Sequence, residues 1–573
     1  MYKINIERNQ EVAYFSMEIA LESSVPIYSG GLGILAGDTL RSAADMGVPM
    51  VAVTLTYNAG YFYQEITPEG YQVEHDMEWD FSNDFERINE RVQLVIQDKT
   101  IVIEAWCYNI IGRTGHIVPV ILLDTDLIDN ESWQRNLTHI LYDANKFQRI
   151  AQEMILGIGG VRMLEKLGYN NIKTYHLNEG HAAFLILELI KRYKDIDEVK
   201  QRVCFTTHTP VRAGLEEFDY NLARDVFRSY LPDNIRDFAG KDTLNMTILA
   251  LNFSRYINAV SKKHLEVTKR MFPNYEIDSI TNGVHAGYWL SPYMRNFFNN
   301  EFGRDWHHNL TLLENAESLD SFELWRTHNK AKYDLLEYEK SHSWILLNNK
   351  LLTIGFARRF AEYKRPLLIF SEMERLAKIM KGKAQLIFAG KAHPADLQSK
   401  SLIKNIFDFS DYLWNSYKIG VVFLENYEIA LAKLLTSGVD IWLNNPRRYL
   451  EASGTSGMKA ALNGVLNLSI LDGWWIEGFR LSNGKAGWSI GPEPSDPSAE
   501  KADDKVDVVD LYQKLENEII PLYYNNQEEW RKMMKQAIKL GAYFNTNRMV
   551  EEYASKSYKL RKQPLWKSYN VGF

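Results

Sequence analysis

A lone lysine, Lys459, lies in the stretch "PRRYLEASGTSGMKAALNG", where it follows a turn of glycines and hydroxyl residues and opens an alanine-rich apolar segment. A lysine in apolar surroundings beside other cations is disfavoured as an ammonium, so its pKa should fall and its amine become available for a Schiff base. The alternative is a helix-surface lysine whose stem packs while its head reaches solvent. The stretch alone leaves both interpretations open.

The turn before Lys459 runs Ser-Gly-Thr-Ser-Gly from Ser453 to Gly457. Its hydroxyl and backbone N–H groups suit a phosphate or sugar hydroxyls. It is not a Walker A loop, because the lysine does not directly follow the final glycine and no Ser or Thr comes after it. The pattern therefore argues against a P-loop nucleotidase.

A basic cluster lies in "GFARRFAEYKRP", directly after the predicted strand "LLTI". Its cations are Arg358, Arg359, Lys364 and Arg365. Arginine presents a planar fork suited to phosphate oxygens, and lysine acts as a point charge. The alternative is a solvated basic face, but a cluster at the ligand-binding edge of a sheet is less often inert.

A glycine turn in "YSGGLGILAGDTLRSAADMG" follows the predicted strand "AYFSME" and precedes a helix that should begin near Leu32. Gly30, Gly31 and Gly33 permit close backbone approach, and an anionic oxygen would suit the free N–H groups. The dinucleotide fingerprint would need a glycine where Ala36 stands. A tight turn without a ligand is the equal alternative.

Three histidines, His181, His208 and His285, each follow an apparent strand. None belongs to a metal-ligand pair at helical spacing, so no metal site is predicted. A single histidine is more often structural than catalytic, but three at the carboxyl ends of strands favour a functional site.

The elements that must position these groups alternate between short β-branched runs and longer helical patterns, which is typical of parallel sheets. The strands "EVAYFSME", "VPMVAVTL", "HIVPVILLD", "IKTYHLN" and "QRVCFTTH" are followed later by "KLLTIGFAR", "AQLIFAGK", "KIGVVFLEN" and "VDIWLNN". We therefore predict an α/β protein of two doubly wound, Rossmann-like domains that face a central cleft, residues 1–288 and 289–573, with the last helices packing back on the first domain.

Composition narrows the class of protein. The chain has 573 residues, a formal net charge of -7 and 46% hydrophobic residues, so neither nucleic acid nor a membrane surface is an expected partner. The isolated Cys107 and Cys204 are interpreted as buried apolar residues. The N-terminus shows no signal-peptide pattern and no run is long enough to span a bilayer, so a cytoplasmic location is expected.

Taken together, these stretches resemble the pyridoxal-phosphate-dependent α-glucan phosphorylase family, which includes the glycogen, starch and maltodextrin phosphorylases. The matching motifs, in the same order over most of the chain, are "GGLG", "HLNEGHAAFLILELI", "THTPVRAGLEEF", "TNGVH", "EYKRPLL", "FLENY" and "EASGTSGMKAALNG". The resemblance implies a two-domain B-type glycosyltransferase fold. It also implies reversible phosphorolysis of a terminal α-1,4-linked glucose to glucose 1-phosphate with retention.

The resemblance assigns roles to particular residues. Lys459 would form the Schiff base with pyridoxal 5'-phosphate, and the cofactor phosphate would be held by Thr455, Arg358, Tyr427 and the backbone near Gly31. Arg359 and Lys364 would bind the substrate phosphate, with Tyr363 at the glucose beside them. The remaining substrate contacts implied are Glu451, Ser453, Gly454, Asn282, His208, His181 and, against the sugar ring, Leu32.

In the implied mechanism the cofactor phosphate exchanges a proton with the substrate phosphate, which in turn protonates the glycosidic oxygen. Two phosphates close together repel each other unless cations neutralise them, and Arg358, Arg359 and Lys364 can supply that charge. The oxocarbenium-like centre would be stabilised by the phosphate and by the backbone at His208. The partners implied are an α-1,4-glucan, inorganic phosphate and glucose 1-phosphate.

Two departures from the family pattern bear on these expectations. Glu428 stands after "FLENY" where well-studied members have arginine, which removes a cation near the cofactor. The "AYFSME" strand begins close to Met1, so the N-terminal regulatory segment is expected to be absent and the enzyme constitutively active. Family members are commonly dimers, so a homodimer is allowed. The alternatives are a nucleotide-sugar-dependent α-glucan synthase and a non-catalytic glucan-binding relative.

Overall fold

The computed structural model describes residues 8–77, 79–80, 82, 84–496, 499–501 and 503–560. The strands within these residues are β1 Val12–Ser16, β2 Met50–Leu55, β3 Tyr63–Ile66, β4 Gln72–His75, β5 Glu86–Ile96, β6 Lys99–Ile111, β7 Ile117–Asp124, β8 Thr174–Asn178, β9 Val203–Thr206, β10 Glu217–Phe218, β11 Leu244–Asn245, β12 Tyr256–Ala259, β13 Asp278–Ser279, β14 Leu352–Ala357, β15 Ala384–Ala389, β16 Val421–Leu424, β17 Ile441–Asn444, β18 Leu466–Ile470 and β19 Gly487–Ile490.

The α-helices of the same residues are α1 Gly31–Asp45, α2 Ser132–Arg135, α3 Lys146–Met154, α4 Gly160–Lys166, α5 Leu185–Tyr193, α6 Ile196–Arg202, α7 Tyr220–Phe227, α8 Arg236–Ala239, α9 Met246–Asn252, α10 Lys262–Met271, α11 Ala286–Trp289, α12 Pro292–Phe302, α13 Ser321–Lys340, α14 Met373–Met380, α15 Leu397–Tyr417, α16 Ile429–Gly438, α17 Ser456–Leu462, α18 Trp474–Leu481, α19 Asp504–Lys514, α20 Ile520–Asn525, α21 Gln527–Leu540 and α22 Thr546–Glu552. None of these helices is long and apolar enough to cross a membrane.

The chain divides into two compact units. Of the described residues, the first unit takes 8–62, 76–281 and 546–560, and the second takes 63–75 and 282–545. The chain therefore enters the second unit briefly between residues 63 and 75 and returns to the first unit for its last described helix. Helix α22 packs against α1, where Ser42 and Thr546 join their hydroxyls at 2.6 Å.

The sheet of the first unit has the order β13-β12-β9-β8-β1-β2-β7-β6-β5 in the described chain. The strands from β13 to β7 run parallel, and β6 and β5 add antiparallel pairs at the edge. The parallel strands β1, β2, β8 and β9 are buried along their whole length. Burial on both faces explains why these strands read as continuous apolar runs in the sequence.

The second unit contains an all-parallel sheet of order β16-β15-β14-β17-β18-β19. This is the order in which two βαβαβ halves meet at a switch between the first strand of each half, here β14 and β17. The first unit has its own switch between β1 and β8. The prediction of two doubly wound, Rossmann-like α/β units is thus confirmed.

Candidate functional site

In doubly wound sheets, ligands bind beyond the carboxyl ends of the strands at the switch in strand order. In the second unit this place lies beyond β14 and β17, where the predicted basic cluster and the stretch that contains Lys459 both begin. In the first unit it lies beyond β1 and β8, which lead to the glycine turn and to His181. The sequence motifs therefore occupy the switch point of each sheet.

A carboxylate joins two of the predicted cations in the second unit. Glu451 Oε2 lies 2.5 Å from Arg358 Nη2 and 2.5 Å from Lys364 Nζ, and each side chain is no more than 10% exposed. Burial opposes ionisation of Glu451, but the two cations outweigh burial and hold its pKa at about 2. Glu451 is therefore an anion that places both cations at one point, and Tyr363 contributes its ring face 4.5 Å from Lys364 Nζ.

Two buried polar atoms beside this ion pair have no hydrogen-bond partner among the described residues. They are Nε of Arg358 and Oγ of Ser453. Ser453 is 4% exposed, and the next residue, Gly454, adopts a φ of 80°, a conformation that favours glycine. An unpaired buried donor or acceptor is costly, so such atoms are typical of a site completed by a ligand.

Lys459 lies in α17, which starts directly after the Ser-Gly-Thr turn. The residue is 6% exposed, and its ammonium sits 3.5 Å from the centre of the Trp289 ring. The helix approaches its neighbours closely, because a Cβ on Gly457 would come within 2.4 Å of Asn467 Oδ1. The interpretation as a solvent-facing helix lysine is therefore wrong. Thr455, which precedes α17, makes no capping hydrogen bond with its side chain.

Asp472 is a residue that the sequence interpretation missed. Its carboxylate follows β18 and accepts hydrogen bonds from the backbone N–H groups of Glu451 at 2.9 Å and Gly473 at 2.8 Å. Burial, together with the charge of Glu451, raises the pKa of Asp472 to about 7 although the backbone donors lower it. Asp472 thus holds the backbone of Glu451 in place. Its only sequence signal is an acidic residue at a strand end.

Arg359 differs from Arg358 and Lys364 in its exposure. Its side chain is exposed, and its charge acts on Asp396, the residue that caps α15. Tyr427 is half-buried after β16, and burial raises the pKa of its phenol. Glu428 caps α16, since its carboxylate accepts from the N–H groups of Ala430 at 2.9 Å and Leu431 at 3.1 Å. The departure at 428 therefore has a local structural role.

In the first unit, a carboxylate closes the glycine turn. Glu18 Oε2 accepts from the N–H groups of Ser29 at 2.5 Å and Gly30 at 3.1 Å. A Cβ on Gly33 would lie 2.7 Å from Tyr28 Cβ, whereas a Cβ on Gly31 would meet nothing within 4 Å. Packing therefore requires glycine at 33, and Gly31 borders open space. Leu32 beside it is half-buried.

His208 follows β9 and is fixed by the segment after β8. Its backbone N–H donates to Glu179 Oε2 at 2.7 Å, and its Nε2 lies 2.8 Å from Asn178 Oδ1. Burial lowers the pKa of His208 to about 3, so the ring is neutral near pH 7. Glu179 has a φ of 72° and also accepts from Thr209 Oγ1 at 3.0 Å. The backbone of Glu179 is therefore strained, and its carboxylate holds the turn at residues 208 and 209 in place.

His181 lies in a separate buried charge network. Its Nδ1 has no hydrogen-bond partner among the described residues, and burial lowers its pKa to about 3. Arg149 Nη2 lies 3.2 Å from Glu153 and 2.5 Å from Glu216. Donor atoms of His181, Glu153 and Glu216 lie within 4.8 Å of one another. Burial raises the pKa of Glu153 well above its ordinary value, whereas Arg149 holds the pKa of Glu216 at about 2 despite burial, so Arg149 pairs chiefly with Glu216 and the group is interpreted as a buried polar network.

Two predicted residues stand at the start of the second unit. Asn282 is 3% exposed and follows β13. A Cβ on Gly283 would lie 2.2 Å from the backbone of Asn545, so this glycine is required for close packing. His285 caps α11 through its Nδ1, which accepts from Tyr288 N at 3.1 Å. His285 therefore has a structural role as the N-terminal cap of α11.

Comparison with known proteins gives a consistent result. The family model described as carbohydrate phosphorylase matches residues 14–106 and 233–486. A maltodextrin phosphorylase from Thermococcus litoralis is 40% identical, with 96% of this chain and 70% of the relative covered. A glycogen phosphorylase from Aquifex aeolicus is 36% identical, with coverage of 96% and 86%. The liver form of human glycogen phosphorylase is 22% identical, with coverage of 95% and 84%.

Proposed function

Because the chain belongs to the carbohydrate phosphorylase family, we propose that it cleaves the terminal α-1,4-linked glucose of an α-glucan with inorganic phosphate, releasing glucose 1-phosphate with retention. Activity as an α-glucan phosphorylase, and with it the class of glycosyltransferase, follows from the family match and from relatives named maltodextrin and glycogen phosphorylase. The observation that carries the proposal is the gathering of Arg358 and Lys364 on Glu451, in the turn that leads to buried Lys459.

Family membership implies a cofactor, and we propose that it is pyridoxal 5'-phosphate. The second unit fits this group in three respects. Lys459 offers a buried amine against an aromatic face. Arg358 Nε and Ser453 Oγ lack partners among the described residues. Thr455 has a hydroxyl outside any helix-capping bond. Lys459, Arg358 and Thr455 would hold the cofactor, with Tyr427 and Gly31 as further predicted contacts.

When bound, pyridoxal phosphate supplies a phosphate group that exchanges a proton with the substrate phosphate. The protein must then keep two phosphates close together, and cations in a water-poor site do so more effectively than in water. Among the residues that the structure describes, Lys364 and Arg358 have one anionic partner between them, Glu451. The pair of cations therefore retains net positive charge for a phosphate, and Arg359 would add a further cation from its exposed position.

Glu451, Ser453, Gly454, Tyr363 and Asn282 are proposed to contact the glucosyl unit. Glu451 is ionised, so it can accept hydrogen bonds from sugar hydroxyls once a phosphate draws the cations away. Leu32, His181 and His208 of the first unit are proposed glucan contacts, and the neutral state of the two histidines suits hydrogen bonding to hydroxyls rather than general acid chemistry.

The direct test is release of glucose 1-phosphate from maltodextrin or glycogen in the presence of phosphate. Purified protein supplied with pyridoxal phosphate should absorb in the near ultraviolet, and borohydride reduction should attach the cofactor to Lys459. Lys459→Ala should lose both the label and the activity, while Lys505→Ala, a change in α19, should retain them. A wild-type protein that takes up no cofactor would contradict the proposal.

The remaining alternatives receive less support. A nucleotide-sugar-dependent synthase would not need Lys459 at a buried position, and a non-catalytic relative would not need the charge arrangement at Glu451. We propose in addition that residues 1–288 serve the glucan, that residues 289–573 serve the cofactor, and that the enzyme works in the cytoplasm.

A further inference from the structure

A β-hairpin from the N-terminal part of the sequence belongs to the second unit. It consists of β3, a turn and β4, residues 63–75. The turn rests on α15, because a Cβ on Gly70 would lie 2.7 Å from Phe407 Cβ, and Lys400 of α15 pairs with Glu74 at 2.7 Å. The chain thus inserts this hairpin against the strand ends of a sheet that is formed almost entirely from much later sequence.

Gln64 of the hairpin is fully buried and bonds to two loops at once. Its Nε2 donates to Gly390 O at 2.9 Å, and its Oε1 accepts from Asn426 N at 2.8 Å. Its backbone N–H donates to Asn426 Oδ1 at 3.2 Å. Gly390 follows β15 and Asn426 follows β16, so one side chain joins the carboxyl ends of two neighbouring strands.

Gln72 of the hairpin binds the same loop after β15, two residues beyond Gly390. Its Nε2 donates to Ala392 O at 2.9 Å, and its Oε1 accepts from Ala392 N at 2.9 Å. The two glutamines are joined to each other, since Gln64 Nε2 also donates to Gln72 Oε1 at 2.8 Å. Buried amides satisfied in this way restrict the backbone that they bind.

The residues held by these bonds, 390–392 and 426, follow β15 and β16. Together with the segment after β14 they form what we term the anion-binding edge of the second unit. Asn426, with a φ of 50°, directly precedes Tyr427. Lys391 lies between the two bonded residues Gly390 and Ala392; burial lowers its pKa to about 8, and the charge of Glu428 opposes that effect. Its carbonyl oxygen accepts from Phe360 N at 2.9 Å, which extends the restraint to the segment that contains Arg358 and Arg359.

We propose that the hairpin of residues 63–75 positions the anion-binding edge of the second unit, and that Gln64 and Gln72 are its positioning residues. The inference rests on the proposed function, because it assigns to this edge the cofactor phosphate and the substrate phosphate. Neither glutamine is proposed as a ligand contact. Each acts through the backbone of residues 390–392 and 426, which sets where Lys391 and Tyr427 stand relative to Arg358.

The test compares Gln64→Leu and Gln72→Leu with a matched control, Gln385→Leu. Gln385 is 1% exposed in β15, and its amide bonds to Asn348 O at 3.0 Å, Thr353 Oγ1 at 2.9 Å and Asn348 N at 2.9 Å. It therefore loses a similar set of bonds in the same unit, but at the amino end of the strand. Gln64→Asn is carried in parallel as a smaller change, in case Gln64→Leu does not fold.

We expect the hairpin variants to need about fivefold to tenfold more pyridoxal phosphate for half-saturation of the near-ultraviolet signal, and a similar increase in phosphate for half-maximal rate. The control should stay within about twofold while it loses comparable thermal stability. In apo-protein, hydrogen exchange of the Phe360 amide should accelerate in the hairpin variants alone, since that amide bonds to Lys391 O.

Equal effects in the control and the hairpin variants, or unchanged half-saturation in all of them, would overturn the positioning role. Unchanged exchange at Phe360 in folded hairpin variants would overturn it as well. Failure of the wild-type protein to bind pyridoxal phosphate would instead reject the proposed function, and exchange at Phe360 would then decide on its own whether the hairpin positions this edge.

Discussion

The carboxylate of Glu451 lies 2.5 Å from the ammonium of Lys364, and both side chains are at most 10% exposed. Arg358 approaches the same oxygen at the same distance. Buried charges are tolerated only when they are paired, so this carboxylate is needed to keep two cations in a water-poor site. A phosphate brought to the cations would take over part of that neutralising charge.

Glu451→Gln should therefore destabilise the protein by about 3 kcal/mol, because two buried cations lose their anionic partner. Inorganic phosphate should recover more of the stability in this variant than in the wild type. Urea unfolding with and without phosphate measures both effects. Equal stabilisation of variant and wild type by phosphate would show that the anion does not bind at these cations.

Glu428→Gln should increase the affinity for anions at the second unit. Glutamine keeps one acceptor oxygen of the two that receive the N–H groups of Ala430 and Leu431, so the cap of α16 is retained in part. It removes the negative charge that acts on Lys391 and Tyr427. We expect about threefold tighter binding of phosphate, measured by titration calorimetry. Glu428→Ala is the control for the cap and should lose about 1 kcal/mol of stability.

Gly31→Ala and Gly33→Ala should have different effects on stability and activity. At Gly33 a new Cβ would clash with Tyr28 Cβ at 2.7 Å and Glu18 Oε2 at 2.8 Å, so about 2 kcal/mol of stability should be lost. At Gly31 the space is open, and stability should change by less than about 0.5 kcal/mol. If Gly31 borders a ligand as proposed, its variant should lose activity without losing stability, which thermal unfolding and rate measurements together reveal.

The stability of the first unit should fall as pH decreases below about 6.5, the ordinary pKa of histidine. Burial lowers the pKa of His176 to about 3, so below pH 6.5 the unfolded chain takes up a proton that the folded chain does not. The contribution of neutral His176 to the free energy of unfolding is thus fully present above pH 6.5 and is lost progressively toward pH 3.

His176→Gln should remove about 1.4 kcal/mol per pH unit from the slope of unfolding free energy between pH 6 and pH 5. The comparison uses slopes, because loss of the bonds from His176 to Tyr558 and Thr206 lowers stability at every pH. Thr206→Val, in the same unit, removes a bond to His176 without removing a titratable group, so it is the control and should lower stability while leaving the slope nearly unchanged. An identical slope for His176→Gln and wild type would contradict the assignment.

Several features of the fold and the site were predictable because they depend on neighbours in the chain. The parallel strands of both units are recognisable in the sequence as apolar runs, since they are buried on both faces. The helix after the glycine turn begins at Gly31, one residue from the predicted start. Both cysteines are free and buried, as their apolar flanks indicated.

Other features required atoms that lie far apart in the sequence. Periodicity reports which face of a strand or helix is buried, but it does not name the partner on that face. For this reason the sequence does not identify Glu18, Glu179 and Asp472 as site residues, although each follows a strand and accepts hydrogen bonds from the backbone of a predicted functional turn.

The amino-acid sequence by itself determined the two doubly wound sheets, the lysine and the cations of the candidate site, and the resemblance that the family match bears out. Only the tertiary structure decided that Arg358 and Lys364 share Glu451, that Arg359 is exposed and acts on Asp396, and that residues 63–75 join the second unit. The physical reason is that the side-chain pairings at Glu451 span 93 and 87 residues, and the bonds that hold the hairpin span 326 and 362. Such contacts exist only once the sheets have formed.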